Sequence, residues 1–271
     1  MSKRAVSLRL ACAFSGLVLA TACVRSSAPV PRHPVGPSPA ELAGRRQSEP
    51  LPPLAQAGDV AAFVSAAGAA PVSRREEIRA RIQRVQADAA IAQGLIAEFR
   101  AAEKTDHSRA LVILSLLGEL RNPVGTAFLI DYVWKPLPTG GEIIAELGVS
   151  AEHEDMERLQ VKAANAIAYA RTEEASRTAL ELAGRHPSRA VRAEAASSYL
   201  WNQGGSDEAR RLLSQYLRRD EQALLDRPVR DVGMSGEEFN RLLGLYLKRN
   251  PQLRPPAPQR TRKASGSERP S

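Results

Sequence analysis

Residues 161–170, VKAANAIAYA, and residues 191–200, VRAEAASSYL, align without a gap at a spacing of 30. Each opens with valine and a basic residue and continues as a small-residue helix face, which lets a neighbouring helix approach closely. SRALVILSLLG from Ser108 fits the same frame. A second set follows these segments. ARRLLSQYLRRD from Ala209 and FNRLLGLYLKRN from Phe239 also align at 30, and TEEASRTALELAGRH from Thr172 aligns with SDEARRLLSQYLRRD at 34. Positions 209, 212, 213, 216 and 217 keep the i, i+3, i+4, i+7, i+8 stripe of one helix face. The repeating unit is therefore helix A, a short turn and helix B. One such pair cannot bury its own apolar face, so the pairs are expected to stack.

The pattern resembles HEAT repeats. The residues that carry the likeness are Val191-Arg192 with Ala195-Ala196 and Leu200, and Val161-Lys162 with Ala163-Ala164 and Tyr169. It covers residues 106–219, with a terminal helix after Ser235. It lacks the Asp-Pro at most repeat starts, and an insertion separates Trp134 from Met156. The resemblance implies an all-α fold, a right-handed α-solenoid of stacked helical hairpins.

Composition agrees with helices. The chain is rich in Ala and Leu and has only 4% aromatic residues, so small and aliphatic side chains must fill the interior. Residues 54–104 read as N-terminal helices. Ser73 and Glu76 make a capping-box pattern before Ile78, Ile82 and Val85, and a second helix is expected over about 87–104. Thr105 and Asp106 supply the next cap. Asn122-Pro123 starts a helix with proline at its first position, carrying Val124, Ala127, Phe128 and Tyr132.

The first 22 residues read as a bacterial export signal, with Lys3, Arg4 and Arg9 before an apolar run over 10–19. Ala20, Thr21 and Ala22 before Cys23 resemble the lipobox of bacterial lipoproteins, which implies lipidation of Cys23. They equally satisfy the A-x-A rule of a plain secretory signal, which leaves a soluble periplasmic protein. Cys12 is the only other cysteine and falls inside the signal, so no internal disulfide is expected. Residues 24–53 are rich in Pro, Ser and Gly and read as a disordered spacer, and residues 251–271 as a disordered basic tail. The expected location is the cell envelope, lipid-anchored at the outer membrane and facing the periplasm.

The net charge of +8 is a property of the flanks. The signal carries +3, the tail +4 and the spacer +2, leaving −1 for the body. That balance offers no footprint for nucleic acid.

The insertion, residues 135–156, is the most distinctive local feature. Insertions in repeat arrays emerge on one face, often the binding face. His153, flanked by Glu152, Glu154, Asp155 and Glu157, suggests a metal site, but zinc needs three or four convergent ligands and no second histidine is near. The simpler reading is a helix start, with Ser150 as cap and acids in the first turn. Thr139-Gly140-Gly141 lacks the continuation of a phosphate loop. No nucleophile motif and no acid–base pair stands out, so no cofactor and no enzymatic activity are expected; the alternative is a metal-dependent or lyase-type enzyme near this insertion. The expected function is a protein-binding scaffold for an unidentified envelope protein. Candidate contacts are Trp134, Glu142, Ile143, Ile144 and Leu147. Arg109, Lys162 and Arg192 hold equivalent repeat positions. They form either a ladder for an acidic partner or ion pairs with neighbouring carboxylates.

Overall fold

The computed structural model describes residues 50–141, 143–144, 148–228 and 234–251, with no side-chain description at 143–144. Cys23, the signal, the spacer up to residue 49 and the tail from 252 lie outside the described residues. The described chain is mostly helical, with almost no strand. In order it comprises α1 (Val60–Ala69), α2 (Arg75–Arg84), α3 (Ala89–Ala102), α4 (His107–Leu120), α5 (Pro123–Val133), β1 (Ile143–Ile144), β2 (Val149–Ser150), α6 (Ala151–Ala170), α7 (Glu173–Arg185), α8 (Arg189–Asn202), α9 (Asp207–Ser214), a 3₁₀ segment (Arg219–Asp226) and α10 (Gly236–Arg249). Among the described residues no helix is long and apolar enough to cross a membrane.

The helix starts follow from short polar side chains. Asp88, Asp106, Asn122, Ser150, Thr172, Ser188, Ser206 and Ser235 each accept a hydrogen bond from a backbone N–H in the first turn of the helix they precede. Ser73 departs from the expectation. It lies inside a 3₁₀ turn, Val72–Arg74, and α2 begins at Arg75 without a side-chain cap. Pro71 leads into that turn, which Arg74 N–H closes on the Pro71 carbonyl. Leu51, which composition assigns to the spacer, is buried, and Arg81 donates to the carbonyl of Pro52.

Helices α4, α6 and α8, the A-type helices, pack successively, α4 on α6 and α6 on α8. The B-type helices join each to the next: α5 packs on α4 and α6, and α7 on α6 and α8. Small residues set the closest contact. A Cβ on Gly118 of α4 would lie 2.9 Å from the Cα of Ala166 in α6, so that crossing admits only glycine. Two A-to-B links are two residues long, a left-handed residue followed by the next N-cap: Arg121, with φ 51°, before Asn122, and Arg171, with φ 56°, before Thr172.

One contiguous apolar core runs from Leu54 to Leu224. Its aromatic centre is Phe99 against Phe128 and Tyr132, edge-on at 5.4 and 4.9 Å between ring centres. Burial, aided by the nearby Glu103 charge, pushes the Tyr132 phenol well above its ordinary range, so it stays protonated and meets the Met156 sulfur.

Towards the C-terminus the sequence expectation needs correction. Tyr216 does not point inward as the B-type stripe requires; α9 stops at Ser214 and Tyr216 is 36% exposed. The chain turns extended at Arg218 before the 3₁₀ segment, and the backbone of Tyr216 packs over Gly184 of α7.

Candidate functional site

The insertion takes shape from its two ends. Trp134 caps α5 and remains 39% exposed, its ring 5.4 Å from that of His186. Beyond it the chain forms a short antiparallel pair, Ile143 opposite Ser150 and Ile144 opposite Val149. Glu142 and Leu147 lie outside the described residues, as do the side chains of Ile143 and Ile144. Ser150 caps α6 by accepting from His153 N–H. The helix therefore absorbs the last part of the insertion, and EHEDMERL forms its opening turns.

The acidic cluster disperses. His153 Nδ1 pairs with the carbonyl of Pro138 at 2.9 Å, Glu154 bonds Arg158, and Asp155 approaches His107 at 4.0 Å. Glu157 accepts from the Ser188 hydroxyl at 2.6 Å. Among the described residues no group of three or more His, Cys, Asp or Glu is placed to hold a metal ion.

Two of the three repeated basic positions, Arg109 and Arg192, make extensive hydrogen bonds inside the protein. Arg109 donates to Glu98 at 2.5 Å, to the Ser65 hydroxyl and to the carbonyl of Ala61. Arg192 is buried and forks onto Glu221, its remaining nitrogen donating to the carbonyls of His186 and Pro187. Its guanidinium is not a contact surface, because every nitrogen is already committed inside the protein. Lys162 lines a groove.

That groove has a volume of 400 Å³ and crosses α4, α6 and α8. Leu111, Val161 and Ala166 give it apolar lining, and Glu119, Arg158, Lys162, Asn165, Glu194 and Arg227 polar lining. Asn165 donates to Glu194 and to the Ser198 hydroxyl, each at 2.9 Å, which holds the α6 and α8 margins in register. Ser115 and Glu119 also border a more apolar hollow of 220 Å³ between the end of α1, α2 and α4. The two depressions thus meet on α4. Sequence reasoning found Lys162 and missed the rest. The readable signal was Arg158, Lys162, Asn165 and Tyr169, at i, i+4, i+7 and i+11 on one face of α6.

Between the end of α5 and the start of α8 lies a buried polar knot. His186 is 1% exposed; its Nε2 donates to the Val133 carbonyl and its Nδ1 accepts from Ser188 N–H. Both ring nitrogens are used by the neutral ring. Burial lowers its pKa, more than its backbone hydrogen bonds and the Glu157 charge raise it, and Arg192 adds to the lowering. Arrayed this way, Ser188 is a helix cap and not a nucleophile. Its hydroxyl faces Glu157 and Val191 N–H, and only its backbone N–H meets the histidine ring.

No family model, curated protein or solved structure matches this chain.

Proposed function

We propose that this chain is a lipid-anchored envelope protein whose HEAT-like α-solenoid binds a segment of another protein along the groove across α4, α6 and α8. The observation that carries the reading is the groove itself. Its lining mixes apolar side chains with both signs of charge, which suits an extended polypeptide that presents apolar and polar side chains in turn. A near-neutral body argues for a protein partner over nucleic acid. The stacked A-type helices support the solenoid reading, since all three border the groove. The insertion, with Trp134 at its mouth, remains part of the proposed contact surface, together with Glu142, Ile143, Ile144 and Leu147.

A photo-crosslinking amino acid placed at Val161 tests this in the native cells, with one at Glu181 on α7 as control. A discrete adduct from Val161 alone supports the groove; identical adducts from both positions, or none, refute it. The anchor is tested separately by labelled palmitate, which Cys23→Ala must abolish.

A further inference from the structure

Helix α10 ends the described array and, among the described residues, keeps apolar surface in solvent. Along its inward stripe of Phe239, Leu242, Leu243, Tyr246 and Leu247, only Tyr246 is buried, and its hydroxyl donates to the carbonyl of Ala223 at 2.8 Å. A second stripe runs down one flank: Glu238, Leu242, Leu245 and Arg249, at i, i+4, i+7 and i+11. Glu238 and Arg249 are exposed, Leu242 is half-buried, and Leu245 keeps 42% of its surface in solvent.

The internal repeat supplies the comparison that makes Leu245 informative. Its counterpart 30 residues earlier is Gln215, and a further 34 residues earlier Glu181. The same outward position is polar in both preceding copies and leucine only in the last. The flanking charges are not special to α10, because the earlier copies carry Glu208 with Arg219 and Glu174 with Arg185. What α10 adds is an apolar centre between a glutamate and an arginine that were already there.

That flank is complementary to itself. Read in opposite directions, Glu-Leu-Leu-Arg places acid against base and leucine against leucine. A twofold axis between two antiparallel helices brings like flanks together, so each contact occurs twice. Glu238 then meets Arg249 of the second copy, and Leu242 meets Leu245 of the second copy. We propose that two copies of this chain associate through antiparallel α10 helices along this stripe. Two fourteen-residue helices bury less than the ~1,200 Å² of a stable standard interface, so the association is weak, with a Kd on the order of 10–100 µM. The inference is independent of the groove reading and survives its failure.

Sedimentation velocity of the full chain, under reducing conditions and from about 1 µM to about 1 mM, tests it. The wild type is expected to pass from monomer to dimer across that range. Leu245→Gln installs the residue of the preceding repeat at an exposed site, so the fold stays intact and the Kd rises about tenfold or more. Glu238→Arg and Arg249→Glu each weaken the dimer a few-fold, and the double variant restores it because the pattern is merely reversed. A wild type that stays monomeric, a Leu245→Gln chain that dimerises like wild type, or a double reversal no better than either single one overturns the proposal.

Discussion

Arg192 and Glu221, 29 positions apart, close a buried fork. The Arg192 Nε donates at 2.9 Å to one carboxylate oxygen and Nη2 at 2.7 Å to the other, with 6% and 1% of the two side chains exposed. The pair ties α8 to the 3₁₀ segment, and Arg189 approaches the same carboxylate at 3.6 Å.

Removing one member leaves the other charge buried. Glu221→Ala is expected to cost about 3–5 kcal/mol of unfolding free energy, read by urea denaturation. The joint replacement Arg192→Met with Glu221→Leu is expected to recover most of that loss. A Glu221→Ala midpoint equal to wild type would remove this pair from the stabilising core.

His186 makes stability depend on pH. Its folded pKa is depressed, mainly by burial, so the unfolded chain binds the proton more readily. The stabilisation is complete above the unfolded value of about 6.5 and is lost as pH falls through the folded pKa. The slope is expected to flatten in His186→Gln, measured by thermal unfolding between about pH 7.5 and 5.

At Gly118 the usual helix rule inverts. Alanine ordinarily favours a helix interior over glycine by about 1 kcal/mol. Here the added methyl meets Ala166 at 2.9 Å. Gly118→Ala is expected to destabilise by about 1–3 kcal/mol, because α4 and α6 must part. Unchanged or raised stability in denaturant melts would show that the crossing is looser than described.

The left-handed links give the opposite sign. Arg121 holds φ 51°, a region that costs a side chain about 1–2 kcal/mol, and its buried Nε finds no hydrogen-bond partner among the described residues. Arg121→Gly is expected to be neutral or stabilising by up to about 1 kcal/mol, and Arg121→Val to destabilise. Equal melting temperatures for the two variants would contradict the strain.

Much of this helix order is legible in the sequence because local chemistry dictates it. Asp106, Asn122, Ser150 and Ser235 stand where short acceptors must stand, and the alanine-rich faces of 161–170 and 191–200 mark the closest packing. Ser73 misleads because its pattern is right and a preceding proline redirects the turn. Tyr216 misleads because its repeat copy, Tyr246, sits in a full helix while α9 stops early. The groove is harder to read, since Glu119, Lys162, Glu194 and Arg227 come from four separate segments that only packing unites. Arg192 looked equivalent to Lys162 by repeat position. Its burial was set by Glu221, far along the chain.

The two-residue links Arg121-Asn122 and Arg171-Thr172 also restrict how such a chain can change length over generations. Adding a residue there breaks the cap geometry that sets how the following helix lies on the core, and turns its apolar face away. Between Trp134 and Ser150 no such phase is enforced, since the short ladder can lengthen without rotating α5 against α6. Indels among descendants of this chain should therefore collect in that hairpin, making it the segment where a new specificity can be written without refolding the rest.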